Sequence, residues 1–106
     1  MSTDKKIVRT RFRSAVFSRD NLTCRRCGKE CDIDELNVHH IIDRNEMPNG
    51  GYALENGISL CAECHLKAEM TMNDGAHFNG YTPEDLYNLI GSSKEKAMEA
   101  SKKLRE

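Results

Sequence analysis

The chain has no tryptophan, only two prolines, and aromatic residues at just 6% of its 106 positions. So few large side chains build only a small core, so one domain fits and cross-links beyond the hydrophobic effect are needed. No apolar run approaches the length of a bilayer-spanning helix, which excludes a helical membrane anchor. The opening Met1-Ser-Thr-Asp-Lys-Lys-Ile also lacks the apolar stretch of a secretory signal. A soluble, intracellular, cytoplasmic protein with no membrane partner is expected. Internal repeats and low-complexity linkers are absent as well.

A strong excess of either charge is missing too, since the net charge is -1. The average hides a segregation. Lys5, Lys6, Arg9, Arg11, Arg13, Arg19, Arg25, Arg26 and Lys29 all precede Cys31, against only Asp4, Asp20 and Glu30. The front of the chain is therefore basic and the remainder acidic. Such a front suits a phosphate-binding face, although charge alone slightly favours a merely solubilising N-terminus.

What is abundant is cysteine. Cys24-x-x-Cys27 and Cys61-x-x-Cys64 have the spacing of two tetrahedral zinc knuckles. Thiols stay reduced inside cells, so matched pairs there are read as metal ligands before disulfides. A structural Zn²⁺ on these four residues is expected, and the loop from residue 28 to residue 60 must then contain something folded. Unliganded core cysteines, or a disulfide-stapled secreted domain, are the competing readings. Cys31 is spare.

The elements follow from periodicity and punctuation. About Val8 to Arg19 reads as a helix with Phe12, Val16 and Ala15 on one face, stopped by Asp20-Asn21. Leu36 to Ile42 is a strand candidate, Pro48-Asn49-Gly50-Gly51 a turn, Gly57 to Cys61 a second strand, and Ala62 to about Met70 a helix. Asn73 to Gly80 is loop-like and contains His77, which receives no role. Thr82-Pro83-Glu84-Asp85 starts another helix, with a capping Thr, Pro in the first turn and an acid three residues on. Ser92-Ser-Lys-Glu95 starts a last one, whose only apolar stripe is Ala97, Ala100 and Leu104. That stripe is thin enough for the helix to lie loosely, to meet a partner, or to fray.

Histidines and an asparagine are interleaved with the cysteine pairs. The order is Cys24-x-x-Cys27, Val38-His39-His40-Ile41, Asn49-Gly50-Gly51, Glu55-Asn56-Gly-Ile-Ser-Leu-Cys61, and Cys64-His65. Any single histidine is best read as an ordinary surface or core residue. As an ordered set, over roughly residues 9 to 70, they resemble the zinc-containing HNH endonucleases.

That resemblance implies an α+β fold: a small zinc-stabilised ββα-metal (His-Me finger) core, with flanking N- and C-terminal helices. A single domain over 1–106 is expected, with a core at about 9–72 and a helical extension at about 82–105 that the resemblance does not cover. The resemblance also implies hydrolysis of DNA phosphodiester bonds, by nicking or cutting, in a bacterial or phage-type host cell. His39 and His65 would hold a catalytic divalent cation (Mg²⁺, Mn²⁺, Ni²⁺ or Zn²⁺), His40 would be the general base, and Asn56 would brace the loop between the strands. Double-stranded DNA is the implied partner, with Arg11, Arg13, Arg25 and Arg26 as candidate backbone contacts. Two positions depart from the common family pattern. Asp43 stands where many members have proline, and Glu69 stands one helical turn after His65. Glu69 reads first as a solvated acid and second as a third metal ligand. A difficulty also stands in the strand, because adjacent residues such as His39 and His40 point to opposite faces. The alternative function is a non-catalytic zinc-stabilised module that binds nucleic acid or protein.

Overall fold

The computed structural model describes residues 5–75 and 78–105, apart from the side chains of Asp74 and Arg105, so His77 lies outside the described residues. The first helix, α1, runs Lys5–Asp20 and buries Phe12, Val16, Phe17 and Asp20. It begins ahead of Val8 because Lys5, Lys6 and Ile7 carry no helix-breaking signal. Ala15 is exposed, and Phe17 takes its place on the inner face. The helix ends where Asn21 and Leu22 both turn left-handed, at φ 55° and 51°.

Strands β1 (Leu36–His40) and β2 (Gly57–Cys61) form an antiparallel pair, with Leu36 opposite Cys61 and His40 opposite Gly57. β1 stops short of the expected Ile42 because the next two amides find other acceptors. Ile41 N donates to the Asn56 carbonyl at 2.9 Å, and Ile42 N donates to Asn56 Oδ1 at 3.1 Å. All five residues of β2 are buried. Helix α1 covers one face of the hairpin, where Phe12 and Val16 lie on Gly57 so closely that a Cβ there would meet them at 2.6 and 2.7 Å. Helix α2 (Ala62–Asp74) covers the other face. It outruns the expected end near Met70 and is closed by left-handed Gly75, whose N–H reaches the Met70 carbonyl.

The C-terminal helices are α3 (Pro83–Leu89) and α4 (Lys94–Lys102). Thr82 and Asp85 form a reciprocal capping box on α3, and Ser93 caps α4. The last helix docks firmly. Ala97 and Ser101 are fully buried, Asn49 Nδ2 donates to the Ser101 carbonyl at 2.9 Å, and Ser92 Oγ donates to the Glu55 carbonyl at 2.8 Å. Leu104 stays exposed, so the packed stripe is Ala97 and Ser101, one turn apart, and not the expected Ala97, Ala100 and Leu104. The result is a small α+β fold, a ββα core flanked by helices at both ends.

Candidate functional site

Beyond α1 the chain makes its first cysteine knuckle, tied to the sheet by Arg25 N donating to the Ser59 carbonyl at 2.9 Å. The second knuckle spans the end of β2 and the first turn of α2. The four ligand atoms of Cys24, Cys27, Cys61 and Cys64 all lie within 4.8 Å of one another. The two knuckles meet directly, with Cys27 Sγ 3.8 Å from Cys61 Sγ. Burial alone would raise the Cys24 thiol, but hydrogen bonds from the backbone of Cys27, Cys61 and Arg26 bring it down to about 7. Cys64 is pushed up to about 12, first by burial and then by its neighbours Cys61 and Cys24, although Tyr81 donates to its sulfur at 3.3 Å. Thiols packed this closely resist ionising together unless a cation sits among them. Cys31 is outside the cluster, its Sγ turned to the Lys29 carbonyl at 3.6 Å.

A second cluster lies between β1 and α2. His39, His65 and Glu69 also place one ligand atom each within 4.8 Å of the others. Glu69 Oε1 is 3.0 Å from His65 Nε2 and 3.5 Å from His39 Nδ1. The first contact is a hydrogen bond. The second is not, because buried His39 Nδ1 has no hydrogen-bond partner among the described residues. Burial, with His65 adding to it, drives the His39 imidazole down to about 4 and keeps it neutral. A buried, neutral, unpartnered nitrogen beside another imidazole and a carboxylate is a donor set that fits a divalent cation. Leaving such an atom unsatisfied costs about 1–3 kcal/mol.

His40 points the other way, as alternation in a regular strand requires. Its ring lies 4.8 Å from Phe12 and 5.0 Å from Tyr52, centroid to centroid, while His39 faces His65 at 5.4 Å. His40 is therefore outside the His39, His65 and Glu69 cluster, though adjacent to it along the chain. Its Nε2 is buried without a hydrogen-bond partner, and burial together with the nearby Arg44 cation lowers the imidazole to about 4.

Asn56 is fully buried, and its side chain is completely used. Oδ1 accepts from Ile42 N at 3.1 Å and from Tyr87 OH at 2.8 Å, while Nδ2 donates to the carbonyls of Ile42 and Gly51, both at 3.2 Å. The turn that seats it needs glycine. Gly51 has φ 65°, and a Cβ there would stand 2.7 Å from Asn56 Nδ2.

Residues 24–70 match the family model described as HNH endonuclease. This segment is an HNH domain. The match spans both cysteine knuckles, the hairpin and most of α2, and leaves α1, α3 and α4 outside it. With its four-cysteine cluster, the fold is that of a zinc-stabilised ββα-metal HNH domain. No curated protein and no solved structure matches the chain.

Several charged residues near the hairpin act as rivets. Asp20 is buried and accepts from Arg19 Nε at 2.7 Å, Arg25 Nη1 at 3.3 Å and Ser59 N at 3.0 Å. Burial would raise its carboxyl, but the Arg19 and Ser59 bonds outweigh that and hold it below the ordinary value. Arg25 also donates to the Leu89 carbonyl, and Arg26 donates to the Gly80 carbonyl at 3.0 Å while covering the Tyr81 ring. Of the four candidate backbone-contacting arginines, these two hold the C-terminal segment instead. Arg13 donates to the Ile33 carbonyl at 3.1 Å across the Phe17 ring, and Arg11 stands exposed on α1. Glu69, expected first as a solvated acid, lies against both imidazoles, and its helical spacing from His65 is the signal for that placement. Tyr87, Tyr81 and Asp20 carried no signal that separates them from core residues. Among the described residues no helix is long and apolar enough to cross a membrane.

Proposed function

We propose that this HNH domain is a metal-dependent endonuclease that hydrolyses phosphodiester bonds in double-stranded DNA. The observation that supports it most is the unpartnered, buried nitrogen of His39 beside His65 and Glu69, with a second such nitrogen on His40. In this reading the four cysteines hold a structural Zn²⁺ whose tetrahedral shell is closed to water and substrate. His39 and His65 would hold a catalytic cation (Mg²⁺, Mn²⁺, Ni²⁺ or Zn²⁺) with Glu69 as a third ligand, leaving further coordination positions open. Such a cation supplies charge relief at a non-bridging phosphoryl oxygen and at the leaving 3′ oxygen.

His40 is the general base. Its neutral Nε2 takes a proton from water, the water oxygen attacks phosphorus, and the bond from phosphorus to the 3′ oxygen breaks. The departing oxygen is protonated from solvent, leaving a 5′ phosphate and a 3′ hydroxyl. Since Nε2 is buried beside Phe12 and Tyr52, this role requires that contact to open when substrate binds. Asn56 holds the backbone immediately after His40 through Ile41 and Ile42. We further propose one domain for the chain, with 82–105 as part of it, because Tyr87 reaches Asn56 directly.

Plasmid nicking in Mg²⁺ or Mn²⁺ tests the proposal. Replacing His40 with Ala is expected to cost about 10²–10⁴-fold in rate, the usual contribution of a positioned base, in a variant that keeps its zinc and its fold. Equal nicking by both proteins points to a contaminant, and no nicking by either leaves the zinc-stabilised binding module as the reading.

A further inference from the structure

Next to His40 lies a group of side chains whose polar ends take no part in the reaction proposed for it. Tyr52 OH accepts from Arg44 Nη1 at 3.1 Å and from Arg9 Nε at 3.4 Å, and the Tyr52 ring stands edge-on to His40 at 89°. The two guanidiniums arrive from unrelated elements, Arg9 from α1 and Arg44 from the 3-10 turn Arg44–Glu46 after β1. Both side chains belong to exposed residues. Neither has a carboxylate within salt-bridge distance among the described residues, and Asp43 Oδ1, beside Arg44 in the chain, accepts from Asn45 N instead.

Two cations directed at one neutral hydroxyl repel each other. The two donor nitrogens, at 3.1 and 3.4 Å from the same oxygen, are no farther apart than those distances together. Each guanidinium keeps further N–H groups free in a planar fork that matches phosphate oxygens. An anion with two oxygens, one for each fork, offsets the repulsion and gives the pair a direct ionic partner, which Asp43, acting on Arg44 only through space, does not. Arg25 and Arg26, the basic pair in the first knuckle, are already engaged, Arg25 by the Asp20 carboxylate and the Leu89 carbonyl and Arg26 by the Gly80 carbonyl.

We propose that Arg9, Arg44 and Tyr52 form a binding site for a backbone phosphate of the nucleic acid, placed beside His40. The inference rests on the nuclease reading for the identity of the ligand but makes a separate claim about binding. Tyr52 is a positioning residue that gathers the two arginines, and the arginines make the contact. Because the site meets phosphate and not base edges, it contributes affinity and placement without sequence choice.

The test is binding of a short fluorescent DNA duplex by anisotropy across a salt series, without added divalent cation, alongside plasmid nicking in Mn²⁺. Arg9→Ala and Arg44→Ala are each expected to weaken binding and to reduce the slope of log affinity against log salt by about 1. Lys96→Ala, which removes the same charge from exposed α4, leaves the slope unchanged. Arg44→Lys retains most of the slope but lowers the nicking rate, because an ammonium keeps the charge and loses the fork. Tyr52→Phe keeps both charges and weakens binding less than either arginine loss. Thermal melting and zinc content of each variant verify the fold, which these exposed arginines do not support. If both arginine variants bind with the wild-type slope while the wild type nicks, the site is wrong and the nuclease reading survives. If they lose affinity as expected while the wild type never nicks, the site stands and the hydrolase reading falls. Failure of the wild type to bind the duplex overturns the site.

Discussion

His40 and Asn56 differ in how each spends its polar atoms. Asn56 uses all of them, so shortening it to Ala strands the amides and carbonyls it now joins. Asn56→Ala is expected to lower stability by about 1–3 kcal/mol, read from denaturant midpoints. Tyr87→Phe removes only one donor to Oδ1 and leaves Ile42 N in place, so about 0.5–1.5 kcal/mol is expected, together with slower nicking. His40, by contrast, has a nitrogen with no partner and an imidazole lowered to about 4 by burial and Arg44. An NMR titration of its ring in zinc-loaded protein without other divalent cations should show the neutral form persisting well below pH 6.5. A midpoint at 6.5 or above contradicts the burial argument. The sign for stability follows, because the unfolded chain binds the proton first. Stability contributed by neutral His39 and His40 is complete above pH 6.5 and is lost as pH falls from 6.5 towards about 4. The sequence order proposed His39, His40, Asn56 and His65; the structure brings His39 and His65 together and leaves His40 outside their cluster. The direction of each ring was hidden, because it depends on which face of β1 each helix covers.

At the level of elements, the hairpin works because each neighbour is pinned to it by a buried polar contact. Asp20 joins α1, the first knuckle and β2 in one carboxylate. Asp20→Asn keeps the shape and loses the charge, and about 1.5–3 kcal/mol of destabilisation is expected in thermal or denaturant melts at neutral pH. The difference between the two proteins should shrink in acid. A carboxyl held below its unfolded value of 3.8 stabilises fully above that value and loses the effect as pH falls from there through its lower folded value. The strands and α2 were legible from β-branched runs and the knuckle spacing, and α3 from its capping box. Two boundaries were not. β1 ends early because Asn56 captures the next amides, a contact made across the intervening turns. The α4 face is Ala97 and Ser101, and a serine buried at 0% exposure has no hydropathy signature.

For the whole molecule, a small aromatic-poor core is joined by the four-cysteine cluster, three of whose members are buried in it. Loss of zinc should be loss of fold, because binding energy at a structural site is folding energy. Prolonged chelation, or Cys24→Ser, is therefore expected to abolish the cooperative melt as zinc content falls. Beside that scaffold lies the His39, His65 and Glu69 cluster, while Arg9 of α1 and Arg44 of the turn after β1 meet at Tyr52. The most direct test of the account is the Mn²⁺ dependence of plasmid nicking, measured side by side on zinc-loaded wild type, His39→Ala, Glu69→Gln and His40→Ala. Loss of a ligand should move the Mn²⁺ midpoint upward by about tenfold or more, whereas His40→Ala should leave the midpoint and lower the plateau. A midpoint shift in His40→Ala like that of His39→Ala, or the same curve for all four proteins, contradicts it.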